Sequence, residues 1–135
     1  MRKTITLFLL LFTLSTMSLN AQIGVALYLE KASICKQNNG KFSLNDFHKK
    51  PIIADADTIF STHFDCFVVS KAGQKGLYDA EGKCLLPITF NNISFDNSRY
   101  WLVNKDGKQG LYSYMGKEIM PPHYDSIEVI SNYRT

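Results

Sequence analysis

The chain has 135 residues, of which 45% are hydrophobic, and its 15 Lys and Arg residues against 12 Asp and Glu residues give a formal net charge of +3. Arg2 and Lys3 belong to a targeting pattern, and without these two cations the formal charge falls from +3 to +1. No basic stripe remains, which argues against a nucleic-acid partner, and the length predicts one modest domain.

Residues 1–21 have the three parts of a secretory signal peptide. The two cations precede an apolar stretch from Ile5 to Leu14, and the segment ends in the small-residue pair Asn20-Ala21. The apolar stretch is too short to cross roughly 30 Å of hydrocarbon. We expect cleavage near Ala21, a mature chain of residues 22–135 with no stable membrane span, and a location in the periplasm, at the cell surface or outside the cell.

The three cysteines, Cys35, Cys66 and Cys84, cannot all pair within one chain. A Cys35–Cys66 disulfide is conceivable in an oxidising compartment, although sequence alone does not place the two sulfurs within bonding distance. The spacing contains no CxxC pair and no zinc-ligand set. The cysteines are therefore expected to be small buried apolar side chains, and no metal or cofactor is expected.

Two segments near the start of the mature chain are also predicted to form local structure. Gly24–Leu29 is apolar enough for a strand, and it lies where a lost copy would place its last strand, so it is expected to cover a sheet edge. Leu29–Cys35 is the single place where a short helical turn is expected.

The segment Gly107–Ile127 nearly repeats the segment Gly73–Ile93. When Gly73 is aligned with Gly107, positions 67–95 and 101–129 share ten identical residues over 29 positions, which is evidence for duplication. The glycines are expected at backbone positions that other residues do not tolerate, and Asp125 is expected to cap a turn. The residues that define the repeat are Gly73, Gly76, Gly82, Pro87, Gly107, Gly110, Gly116, Pro121 and Asp125.

A weaker copy precedes these two. Gly40–Leu44 is similar to Gly107–Leu111, and Asp57-Thr58-Ile59 corresponds to Asp125-Ser126-Ile127. One inserted residue inside the first copy reconciles its two ends. The β-repeat domain, residues 22–135, thus holds three copies, at 34–60, 67–95 and 101–130.

Within a copy the local pattern predicts a small antiparallel meander. Trp101–Lys105 is short and apolar, Asp106-Gly107 suits a two-residue turn with positive φ, and Lys108–Tyr114 runs back. After the next turn, a third strand is expected over Lys117–Met120.

Pro121-Pro122 should end the pairing of the third strand before an extended piece at Ile127–Ile130. One meander cannot bury its apolar face alone, so the copies should stack. Three copies are too few for a closed ring of about four to eight blades. The predicted fold is therefore all-β, with tandem repeats of about 34 residues stacked as an open array, either a solenoid or a partial propeller.

The repeat resembles that of the bacterial WG-repeat (KWG-repeat) proteins. Gly107–Leu111, Gly116–Pro122 and Tyr124–Ile127 match the family's three conserved blocks, and residues 73–95 match nearly as well. The family's signature Trp is replaced by Lys75 and Gln109. The resemblance implies a secreted β-repeat protein with a binding or scaffolding role, and it carries no catalytic residues to this chain.

The sequence contains no set of residues spaced for catalysis, so no enzymatic activity is expected. The three histidines are isolated in sequence, and Cys84 has no neighbouring base. Asp55 and Asp57 form a DxD pair without the rest of a calcium loop, so they are expected to cap turns.

The aromatic residues are the remaining candidates for a recognition surface. Tyr78 and Tyr112 recur in register, and Tyr114 follows on the side of Tyr112 if the strand is regular, so stacked copies would form a tyrosine ladder. The alternative is that these rings fill the core. The function expected is a non-enzymatic binding or scaffold module for an envelope protein or glycan, and the alternative is an element that self-associates through its open ends.

Overall fold

The computed structural model describes residues 31–96 and 99–130, and this part of the chain is all-β. The predicted signal peptide and the predicted strand at Gly24–Leu29 lie outside the described residues. No helix among the described residues has the length and hydropathy needed to span a bilayer. The one helical element here is a three-residue 3-10 turn, His63–Asp65.

The strands form three antiparallel sheets, each a meander in chain order. The first sheet contains β1 (Ser33–Lys36), β2 (Phe42–Asn45) and β3 (Pro51–Ala56). The second contains β4 (Thr58–Ser61), β5 (Phe67–Lys71), β6 (Gln74–Tyr78) and β7 (Cys84–Phe90). The third contains β8 (Asn92–Asp96), β9 (Tyr100–Lys105), β10 (Lys108–Ser113) and β11 (Glu118–Tyr124).

The second and third sheets have matching strand bounds. Three strands of the second sheet, β4, β6 and β7, begin at the same offset from their counterparts β8, β10 and β11, and this offset is the one that aligns Gly73 with Gly107. The first strand of each four-stranded sheet, β4 or β8, is the segment predicted from the sequence as the end of the preceding copy.

The first sheet departs from this spacing at two places. Ser33 pairs with Asn45, whereas Phe67 pairs with Tyr78, so the β1–β2 hairpin holds one more residue than its counterpart. Phe42 pairs with Ala56, whereas Lys75 pairs with Phe90, so the β2–β3 hairpin holds one residue fewer. The first copy therefore differs by one insertion and one compensating deletion, rather than by the single inserted residue expected from the sequence.

The prediction that the prolines end strand pairing was wrong. β11 runs through Pro121 and Pro122, and Tyr124 beyond them still pairs with Gln109. Two register shifts relax the pairing, and β11 is an edge strand, where a missing N–H costs no ladder bond on the open side. The extended piece expected at Ile127–Ile130 belongs to no strand.

Gly110 is what lets β11 approach β10 so closely. A Cβ on Gly110 would lie 2.8 Å from the Pro122 nitrogen, and one on Gly76 would lie 2.9 Å from the Ile88 nitrogen. Backbone atoms cannot move aside as a flexible side chain can. Gly76 in β6 and Gly110 in β10 are therefore positions where the neighbouring strand comes too close for a side chain.

The predicted helical turn at Leu29–Cys35 was wrong in its described part, because Ser33–Lys36 is β1. The turn prediction at Asp106-Gly107 was confirmed. Asp106 has φ +51° and Gly107 has φ +77°, and Ala72 has φ +52° at the matching place in the second sheet. Two-residue hairpin turns with positive φ at both residues fit the twist of the strands they join.

Two hydrophobic clusters make up the core, one on each side of the second sheet. Leu77 and Leu86 pack with Trp101, Val103 and Tyr112 of the third sheet. On the opposite side, Val69 and Tyr78 pack with Leu44 and Ala56 of the first sheet. Neighbouring residues of β6 therefore point into different clusters, as the alternation of a strand requires.

Candidate functional site

A cleft surrounded by exposed apolar side chains lies at one end of the second and third sheets. This cleft, of about 330 Å³, is formed by the 3-10 turn, the β6–β7 turn and the β10–β11 turn. Cys66 and Leu85 lie among its lining residues, with Phe64, Tyr114 and Met115 exposed around it. Among the nine large hydrophobic side chains that are exposed in the described residues, these three line one cavity.

The 3-10 turn holds Phe64 in a conformation that few residues adopt. Phe64 has φ +59° and ψ +32°, and Asp65 follows with φ +55°. A left-handed backbone costs a residue with a Cβ roughly 1–2 kcal/mol. The surrounding structure stabilises this turn against that cost, and one result is that the Phe64 ring is 58% exposed.

Aromatic contacts fix the position of the exposed rings. The Phe64 ring centroid lies 5.3 Å from that of Phe95 in an edge-to-face arrangement and 5.9 Å from that of Tyr114. His63 stacks on Phe95 from the same turn, with 4.4 Å between centroids. Phe95 in turn contacts the buried Trp101 edge-to-face at 4.9 Å. The exposed rings are thus the outer part of an aromatic cluster rooted in the core.

Trp101 also connects the core to the cleft through a hydrogen bond. Its indole Nε1 donates to the carbonyl oxygen of Tyr114 at 3.3 Å. Trp101 is the only tryptophan in the sequence and is 1% exposed. The backbone that carries Tyr114 is therefore held by the same side chain that fills the space between the second and third sheets.

The β6–β7 turn contributes acidic groups to the cleft. Asp79 and Glu81 line it together with one cation, Lys83. The Asp79 carboxylate accepts the backbone N–H of Glu81 at 3.1 Å and that of Lys83 at 2.7 Å, so it shapes its own turn. No hydrogen bond or ion pair of the Glu81 carboxylate occurs within the described residues.

The negative charge of these acids affects the pKa of Cys66. Burial, the largest cause, and the negative charges of Asp79, Asp65 and Glu81 together raise the pKa of the Cys66 thiol from 9.0 to about 11. At neutral pH the thiol is protonated and a poor nucleophile. The cleft can therefore act through apolar contact, aromatic faces and negative charge.

The predicted tyrosine ladder does not form on a surface. Tyr78 and Tyr112 are 6% and 9% exposed and lie in the two core clusters, so the alternative interpretation of these rings holds. Tyr114 alone is exposed, at 48%, because β10 ends at Ser113 and Tyr114 lies in the following turn. Both faces of the second sheet are covered, which is why leucines and tyrosines are buried alike.

Each buried tyrosine keeps a polar partner across the strand pair. The Tyr112 hydroxyl donates to Glu118 Oε2 at 2.9 Å. Burial first and this carboxylate second raise the pKa of Tyr112 to about 12. At the matching place Tyr78 pairs with Cys84, and burial followed by the Cys84 sulfur raises the pKa of Tyr78 to about 12.

The acidic residues singled out in the sequence differ in role: Asp57 caps a turn, whereas Asp125 makes a side-chain ion pair and Asp55 lies within a strand. Asp57 Oδ2 accepts the Ala72 N–H at 2.8 Å, and the carboxylate also binds Lys41. Asn91 accepts the Asp106 N–H at 2.7 Å in the third sheet. Asp125 forms an ion pair with Lys108. Asp55, by contrast, lies within β3 with φ +58° and accepts a hydrogen bond from the Asn39 side chain, so the turn role expected for it was wrong.

All three cysteines are free thiols, so the conceivable Cys35–Cys66 disulfide is not formed. Only Cys66 fits the expectation of a buried apolar side chain, since Cys84 is exposed and Cys35 is partly buried. Among the described residues there is also no group of three or more His, Cys, Asp or Glu residues placed to hold a metal ion.

The sequence did not predict a functional role for His63 or Phe64, or for the β6–β7 and β10–β11 turns that line the cleft. The segment Thr62–Cys66 falls between copies, so the repeat gave no signal there. A usable signal was the contrast between matching turn positions, because Ala80-Glu81 in the second copy is replaced by Tyr114-Met115 in the third. No protein-family model, curated protein or solved structure matches this chain.

Proposed function

We propose that the chain is a non-enzymatic binding or scaffold module of the bacterial envelope, of the WG-repeat kind, and that it binds a protein partner through the cleft between its turns. The observation that carries the proposal is the exposure of Phe64, Tyr114 and Met115 around one cavity. Exposed apolar groups gathered around a concavity are typical of interaction sites. The secretory pattern of residues 1–21 supports the envelope location.

The same proposal includes stacking of the sheets as an open repeat array. A Cβ on Gly116 would lie 2.6 Å from the Leu85 carbonyl oxygen of the second sheet, and one on Gly82 would lie 2.2 Å from Ile52 of the first. Turn glycines one repeat apart therefore both lie against the preceding sheet, Gly116 against the Leu85 backbone and Gly82 against the Ile52 side chain. This recurrence supports a regular stack, whether it is a solenoid or a partial propeller.

The proposal is tested by capture from envelope extract with residues 22–135 as bait, beside the double variant Phe64→Ser/Tyr114→Ser. A matched control, Phe47→Ser/Ile119→Ser, removes two other exposed apolar side chains, which are 42% and 48% exposed. We expect a cross-linkable partner that the cleft variant loses and the control retains. Retention by both variants, with circular dichroism showing both folded, would refute the cleft as the binding surface.

A second candidate function is self-assembly through the outer face of the third sheet. Trp101, Val103 and Tyr112 face the second sheet, so Leu102 and Leu111 face away from it. Their counterparts Val68 and Leu77 in the second sheet are covered by a whole neighbouring sheet. On the third sheet, Ile127 and Val129 cover part of that face, and Tyr124 stays 44% exposed where its counterpart Phe90 is 4% exposed.

Analytical ultracentrifugation of residues 22–135 tests this second candidate. If the outer face joins copies, the average mass rises with concentration, and Leu102→Ser/Tyr124→Ser shifts the equilibrium toward monomer. A monomer at all concentrations would exclude self-assembly and leave the binding module as the proposed function.

A further inference from the structure

We propose that the cleft receives a cationic side chain, Lys or Arg, presented by a peptide segment of a partner protein with apolar residues beside the cation. This inference rests on the proposed function and names the chemical class of its ligand.

The size of the cleft favours a side chain over a longer ligand. Its volume, about 330 Å³, is at the lower end of ligand pockets, which range over roughly 300–1,000 Å³. A space of that size accommodates one long side chain and adjoining peptide atoms. A glycan chain would need a longer groove lined with hydrogen-bonding groups, and the lining here is dominated by Phe64, Leu85, Tyr114 and Met115.

One wall of the cleft suits the aliphatic stem and the charge of a long cation. Phe64 and Tyr114 are exposed, with 5.9 Å between their ring centroids and a tilt of 51° between their planes. Lys and Arg lay their methylene stems along such apolar surfaces, and their charged heads are attracted to the ring faces. Met115, 65% exposed, extends the apolar wall for the residues beside the cation.

The β6–β7 turn supplies the negative charge. Asp79 and Glu81 belong to the lining, and Asp65 adds a third carboxylate whose field reaches Cys66 at the cleft. Lys83 is the one cation among the described lining residues. Because the Asp79 carboxylate is engaged by two backbone N–H groups, Glu81 is the carboxylate best placed to meet a ligand charge.

The effect of these acids on Cys66 follows from the same negative charge. All three carboxylates act in one direction on a thiol that lines the cleft. An anionic ligand would be repelled by the same field, and a purely apolar ligand would leave the negative charge of Glu81 unused. A cation with apolar neighbours is the class that uses both walls.

Isothermal titration calorimetry of residues 22–135 with the peptide acetyl-Gly-Leu-Lys-Leu-Gly-amide tests the inference, and the same peptide with Gln in place of Lys is the matched control. The Lys peptide is expected to bind about 2–5-fold more tightly at low salt, which corresponds to one exposed charge pair. The preference should shrink as salt rises, because the charges are solvent-accessible.

Two protein variants give effects of opposite sign. Glu81→Gln should weaken binding of the Lys peptide about 2–5-fold, whereas Lys83→Gln should strengthen it by a similar factor, and neither should change binding of the Gln peptide. A change in packing alone would not reverse sign between the two variants. Trp101 emission gives a second readout, since its indole bonds the backbone of Tyr114.

The outcomes separate the ligand class from the proposed function. Equal binding of the two peptides, or no binding of either by a chain whose envelope partner depends on Phe64 and Tyr114, would overturn the cationic ligand and leave the cleft as a binding site. Binding of the Lys peptide that survives Phe64→Ser/Tyr114→Ser would overturn this inference, because the cation would then lie elsewhere. An envelope partner that is indifferent to the cleft variant would overturn the proposed function itself.

Discussion

The second and third sheets have the same strand arrangement but differ in their turns. Their matching strands keep one spacing, the same register shifts and the same glycine under the bulged strand. The turns that follow β6 and β10 differ, however, because Ala80-Glu81 in the second sheet corresponds to Tyr114-Met115 in the third. The cleft lies between these two turns, so its acidic wall and its apolar wall are the same structural position in two copies. Departures between copies, rather than the repeat itself, supply the chemistry.

The largest expected effect contrasts the inner and outer faces of the two sheets. Leu77 is 0% exposed between two sheets, whereas Leu111 is 7% exposed on a face that residues 125–130 cover in part. Leu77→Ala should cost roughly 2–5 kcal/mol in the free energy of unfolding, and Leu111→Ala less, because its surroundings can relax or fill with water. Urea denaturation of both variants measures the difference. Equal costs would mean that the outer face is as well packed as the inner one.

The shared strand arrangement predicts equal effects at Gly76 and Gly110. Gly76→Ala and Gly110→Ala each place a Cβ within 3.0 Å of backbone atoms of the bulged strand, so each should cost about 1–3 kcal/mol. Gly107→Ala is the control, since nothing lies within 4 Å of its added Cβ and only its positive φ is strained. Its cost should be about 1–2 kcal/mol. A harmless Gly110→Ala would contradict the tight bulge described for β11.

Alkaline pH tests the two tyrosine positions together with Cys66. Their pKa values in the folded chain, about 12 for Tyr78 and Tyr112 and about 11 for Cys66, lie above the ordinary values of 10.0 and 9.0. A raised pKa of a neutral acid favours the protonated folded form, so stability is fully present below the ordinary value and is lost as pH rises.

The unfolding midpoint in urea should therefore be level below pH 9 and fall between pH 9 and pH 12. Glu118→Gln removes the carboxylate that raises the pKa of Tyr112 while leaving the Tyr78–Cys84 pair intact. Spectrophotometric titration should then show one tyrosine with a lowered pKa. No change in the tyrosine titration would contradict the Tyr112–Glu118 hydrogen bond.

The smallest expected effect concerns the turn caps. The Lys41 ammonium and the Ala72 N–H lower the pKa of Asp57, so its contribution is present above pH 3.8 and is lost as pH falls through the lower folded value. Asp57→Asn should keep the acceptor for Ala72, as Asn91 does for Asp106, and so destabilise less than Asp57→Ala. Thermal midpoints at neutral and acid pH check this order. A larger loss with Asn than with Ala would exclude the capping role.

The sequence predicted what the repeat dictates. Glycine spacing, turn residues and alternating apolar positions were enough for an all-β meander and the Asp106-Gly107 turn. The continuation of β11 through Pro121-Pro122 could not be read from propensity, because it depends on Gly110 letting a bulged edge strand approach. The burial of Tyr78 depends on the first sheet and that of Tyr112 on the second, and this contact between sheets is a tertiary property. Phe64 could not be found because its exposure results from a left-handed turn between copies.

The most direct test of the central claim is capture from envelope extract by three folded forms of residues 22–135: the native sequence, Phe64→Ser/Tyr114→Ser and Phe47→Ser/Ile119→Ser. We expect a partner that is bound by the native chain and by the Phe47/Ile119 variant and is lost by the Phe64/Tyr114 variant. A partner retained equally by all three would contradict the claim that the cleft between the two turns is the binding surface.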